Sequence, residues 1–64
     1  MQRLTAVAKV ILVVDDDADV REVAVNLVES LGYRVASATN AHDALLRMQS
    51  ERVDAVLRTG HSMR

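Results

Sequence analysis

Three adjacent carboxylates, Asp15, Asp16 and Asp17, follow directly on an apolar run in "VILVVDDDAD". Like charges this close repel, so the crowding calls for a cation, a helix start, or both. Two neighbouring carboxylates suit Mg²⁺, a hard octahedral ion that takes one or two carboxylates and completes its shell with waters and phosphate oxygens. Asp17 suits a helix N-cap, with its side chain accepting from the backbone N–H groups two and three residues on. A solvated turn with Asp17 as its cap fits the same residues, and the local sequence leaves the choice open.

The surrounding elements decide where these carboxylates lie. "VILVV" is continuously apolar and mostly β-branched, the pattern of a strand covered on both faces. After Asp17, apolar residues Val20, Val23, Ala24, Leu27, Val28 and Leu31 recur at helical spacing, and Gly32 supplies the left-handed stop. "YRVASA", residues 33–38, alternates as a second strand does. Asn40 with Asp43 three residues on resembles a capping box, opening a second helix with Ala41, Ala44, Leu45 and Met48 inward and Arg47, Gln49 and Arg52 toward water. "VDAVL", residues 53–57, completes a β-α-β-α-β order, which implies an α/β fold with a parallel sheet and right-handed crossovers. In such sheets ligands bind beyond the carboxyl ends of the strands, where Asp15 and Asp16 fall.

Composition bounds the function. The 64 residues hold at most one small domain: residues 1–8 read as an extension, 9–58 as the domain and 59–64 as an irregular tail. Tyr33 is the one aromatic residue and the net charge is -1, so neither base stacking nor bulk attraction to nucleic acid is expected. There is no cysteine, which excludes disulfides and thiolate zinc sites. "MQRLTAVAKVILVV" begins like a signal peptide, but Lys9 interrupts the apolar stretch and the acidic cluster stands where a cleavage site belongs. No run is long enough to span a bilayer, so the expectation is a cytoplasmic chain without membrane contact.

From Ile11 to Met48, "ILVVDDDADVREVAVNLVESLGYRVASATNAHDALLRM" resembles the first part of a response-regulator receiver domain of two-component phosphorelays, and the likeness runs on through "VDAVL". The resemblance implies a truncated flavodoxin-like receiver with sheet order 2-1-3. It matches Asp15 and Asp16 to the family's acidic metal pair, with Asp16 binding Mg²⁺ directly and Asp15 acting mainly through water. Asp17 has no set role in the family and remains the helix cap, as Asn40 does for the second helix.

The family's phospho-acceptor is an Asp just after the third strand. Continuous spacing from Asp16 puts Thr59 there, and a shift of one residue puts Gly60 there. Neither is a carboxylate, and the family's Met-Pro-Gly turn, later Ser or Thr, and Lys have no counterpart in residues 59–64. A Thr ester is chemically unlike an acyl phosphate and needs an activating base. His61 in the tail and His42 in the second helix read as solvated.

The expectation is therefore a truncated receiver of the phosphorelay class that accepts no phosphate, is no enzyme and binds Mg²⁺ weakly. Alternatives are an interaction module pairing with another receiver or a histidine kinase, or a gene fragment or engineered half-domain without function. In the receiver order the third strand is an open edge, so self-association as a symmetric dimer is also expected.

Overall fold

The computed structural model describes residues 8–59. Its elements are β1 (Val10–Val14), α1 (Ala18–Ser30), β2 (Arg34–Ala38), α2 (Ala41–Ser50) and β3 (Ala55–Arg58). The strands form one parallel sheet ordered β2-β1-β3. This is the 2-1-3 order of a flavodoxin-like sheet, with central β1 flanked by its two successors. Leu12 lies in register with Ala36 on one side and Val56 on the other.

β1 is strand because its β-branched residues suit a pleat packed on both faces, and its position between two strands satisfies its backbone. Leu12 and Val13 are fully buried and sit on opposite faces. Leu12 joins Val14, Ala36, Ala38 and Ala44 of α2 in the main core, with Val10 and Val53 packed at its margin. α1 packs on β1 and β2, and its one buried residue is Val28.

Both helices start on side-chain caps. Asp17 accepts from the N–H groups of Asp19 and Val20, and Asn40 accepts from that of Asp43. α1 ends with Leu31 as its C-cap, after which Gly32 takes φ of 99°, a left-handed conformation that a side chain would strain. At α2 the return half of the capping box is displaced by one residue. Asp43 accepts from the backbone N–H of Thr39 at 3.2 Å, not from that of Asn40, the shorter Asp side chain standing where Glu is usual.

Three boundaries or faces depart from the sequence reading. β2 starts at Arg34, because Tyr33 is still leaving the Gly32 turn. β3 runs from Ala55 to Arg58, not residues 53–57. The shift arises at Asp54, which brackets Val10: its N–H donates to the Val10 carbonyl at 2.8 Å and its carboxylate accepts the Val10 N–H at 2.8 Å. A side chain thus replaces a backbone acceptor, and regular pairing begins one residue later, with Ala55 opposite Ile11.

The inward faces of the helices are also narrower than the spacing suggests. Of the expected α2 face only Ala44 is buried, while Ala41, Leu45 and Met48 are exposed. The contact is made by small residues, Ala44 against Ala36 and Ala38, and larger neighbours on the stripe find no sheet beneath them. Likewise α1 turns Arg21, Ala24, Val25 and Val28 inward and leaves Val20, Val23 and Leu27 outside. Both helices pack on β1 and β2, and neither reaches β3.

Candidate functional site

The carboxyl ends of β1 and β3 meet at Asp15. This residue is 4% exposed and is the one buried charged group among the described residues. Its backbone N–H donates to the Ala38 carbonyl at 3.1 Å, joining the ends of β1 and β2. Its own carbonyl accepts from Arg21 Nη1 at 2.7 Å, which draws α1 onto the same point. One carboxylate oxygen, Oδ1, accepts the Asp17 N–H at 2.8 Å and so sets the turn into α1. The other, Oδ2, accepts the hydroxyl of Thr59. The Thr59 N–H also donates to the Val14 carbonyl at 3.3 Å, so the residue after β3 is held by backbone and side chain.

A buried carboxylate is costly unless charge-assisted hydrogen bonds replace its water. Asp17 and Thr59 do this for Asp15, so its place here follows from the turn and the hydroxyl that receive it. Asp16 is exposed beside it, and Asp17 is exposed and committed to the cap of α1. The three carboxylates of the opening motif therefore separate into three surroundings: one buried and bonded, one free to face water, and one at the helix start.

Of the two residues that spacing placed after the third strand, Thr59 is the one that reaches Asp15. Gly60 and His61 lie outside the described residues, as do residues 1–7 of the N-terminal extension. His42 is exposed on α2 and takes no part. Spacing from the acidic pair raised Thr59 as a candidate, but the hydroxyl contact to Asp15 carries no sequence signature of its own.

Among the described residues no three Asp, Glu, His or Cys side chains gather as a metal cage. The donors at the strand ends amount to the Asp15 and Asp16 carboxylates with the Thr59 hydroxyl nearby. That set suits a hard oxygen-seeking ion that keeps most of its waters, and no softer metal. No helix among the described residues is long and apolar enough to cross a membrane.

At the opposite end of the sheet, a depression is lined by Lys9, Arg34, Arg52, Glu51 and Asp54. Arg52 pairs with Asp54 at 3.3 Å. The backbone N–H of Val10, with Arg52 assisting, holds the Asp54 carboxyl below its ordinary pKa against the opposing effect of desolvation. These groups lock the start of β3 and stand apart from Asp15.

A search of the curated proteins and a search of the solved structures each return no match. A family model, that of the response regulator receiver domain, matches residues 11–58, three quarters of the chain. The matched span opens in β1, closes on the last residue of β3 and contains the Asp15 turn. The chain belongs to the response regulator receiver domain family.

Proposed function

We propose that these 64 residues act in two-component signalling as a receiver-type module that engages partners without taking a phosphoryl group. The observation that carries this reading is the Thr59 hydroxyl donating to Asp15 where a receiver's acceptor carboxylate belongs. A receiver stores its signal as an acyl phosphate, which only a carboxylate can form. Thr59 offers an alcohol, and its neighbour Asp15 is occupied in accepting a hydrogen bond from it and in setting the α1 turn. Asp15 is the carboxylate within reach of the hydroxyl, and even with its help Thr59 would form a phosphate ester, not the acyl phosphate of a receiver.

On this reading Asp16, with Asp15 behind it, would hold Mg²⁺ as a largely hydrated ion, because the site has only two carboxylates and Thr59 is neutral. When bound, the ion would neutralise the repulsion between Asp15 and Asp16 and offer a docking point for phosphate oxygens. The partners fitting such a module are a histidine kinase or another receiver, and the setting is the cytoplasm.

Incubation with Mg²⁺ and a small-molecule phosphodonor, followed by intact-mass measurement, tests the reading. The chain is expected to keep its unmodified mass. An adduct of one phosphoryl group that hydroxylamine removes would be an acyl phosphate and would overturn it.

A further inference from the structure

The depression at the end of the sheet away from Asp15 has a volume of about 260 Å³, and each strand brings a cation to its lining. Lys9 stands just before β1, Arg34 is the first residue of β2, and Arg52 lies ahead of β3. Glu51 and Asp54 line it too, so what it can bind depends on which charges are already matched.

Asp54 is matched from within. Its carboxylate accepts the Val10 N–H at 2.8 Å and Arg52 Nε at 3.3 Å. Glu51 is matched from outside, by Arg47 of α2 at 3.3 Å, a residue that does not line the depression. Lys9 and Arg34 make no ion pair among the described residues. Lys9 is near enough to help lower the Asp54 pKa, but as the last contribution, behind the Val10 N–H and Arg52. The charges of Lys9 and Arg34 are thus left over. We infer that the depression is a binding site for a small phosphate-type dianion, held by Lys9 and Arg34 with Arg52 at its margin. The inference is independent of the reading of Thr59.

The backbone fixes the two cations as neighbours. The Arg34 N–H donates to the Lys9 carbonyl at 3.0 Å, and Arg34 lies in register with Val10. A guanidinium is a planar fork that meets two oxygens of a tetrahedral anion, and an ammonium adds a compact charge for a third. A monocarboxylate could fill the fork but would match only one of the two charges. A long polyanion would run onto Glu51 and Asp54, so a small dianion fits this lining best. Lys9, Arg34 and Arg52 are exposed, and water and salt screen such groups, which sets the expected affinity in the millimolar range.

Amide shifts of the intact chain, followed during titration with sodium phosphate at constant ionic strength, test the inference. Mg²⁺ is left out so that phosphate cannot dock through a metal at Asp16. Phosphate and sulfate should both move residues 8–10, 34 and 51–54 and saturate, whereas acetate should not saturate. Arg34→Gln should weaken binding roughly tenfold, and Lys9→Gln, at an exposed position ahead of β1, should weaken it severalfold. Arg58→Gln, at the other end of the sheet, should leave it unchanged. Shifts that rise without saturation to about 0.1 M phosphate would overturn the inference. So would shifts centred on residues 14–18, or unchanged binding in whichever of Arg34→Gln and Lys9→Gln keeps the dispersed amide spectrum of a folded chain.

Discussion

At the scale of single residues, Asp15 organises the site through the groups it accepts from. Its burial would be unfavourable without them, so each partner contributes to stability as well as position. Replacing Thr59 with Val keeps the shape of the side chain and removes the donor to Asp15 Oδ2. Thr59→Val should lower unfolding stability by about 1.5 to 3 kcal/mol, the usual cost of losing a hydrogen bond to a charged group, while Thr59→Ser should stay close to the parent. Urea titration of the three proteins checks this. Equal stability in all three would mean that Asp15 does not depend on the hydroxyl. The acidic run and its position at a strand end were legible from the residues themselves. The division of labour was not, because whether a carboxylate faces water or accepts from a hydroxyl 44 residues away depends on how β1 and β3 are laid side by side.

At the scale of elements, patterns that depend on one segment alone were readable and patterns that depend on its neighbours were not. β1 follows from five consecutive apolar residues and both helix starts from Asp17 and Asn40, all of them local signals. The outward lie of Leu45, Met48, Val23 and Leu27 has no local signal, because an apolar stripe is buried only where sheet lies beneath it. The displaced start of β3 likewise reflects Asp54 reaching across to Val10. That bracket makes the strand's attachment sensitive to acid. The Asp54 pKa is lowered in the folded chain, chiefly by the Val10 N–H, so the folded state binds its proton less readily than the unfolded state does. Its stabilising contribution should be complete above the unfolded-state value and should fade as pH falls through the lowered folded value. Stability measured from neutral to acid pH, in the parent and in Asp54→Asn, checks the sign. The parent should lose more than the variant on acidification, and an equal loss in both would remove Asp54 as the cause.

At the scale of the whole molecule, the sheet order 2-1-3 brings the ends of β1 and β3 together, and the site exists only through that meeting. A helix cap on Asp17 needs α1 alone, but the contact of Thr59 with Asp15 needs the crossover through α2 and the parallel return of β3. Small alanines in the core let the layers approach, and Leu12 and Val13 supply the fully buried bulk. A chain this short has little stability to spare. We propose that the strand ends form one oxygen-lined site, in which Asp15 accepts from the neutral Thr59 hydroxyl and Asp16 stands exposed beside it. Backbone amide shifts followed during a Mg²⁺ titration test it most directly. The largest changes should fall at residues 14–18 and 58–59, with saturation only in the millimolar range because Asp15 and Asp16 are joined there by a neutral hydroxyl and not by a third carboxylate. Saturation well below millimolar, no change at tens of millimolar, or changes centred on the opposite end around Asp54 would contradict it.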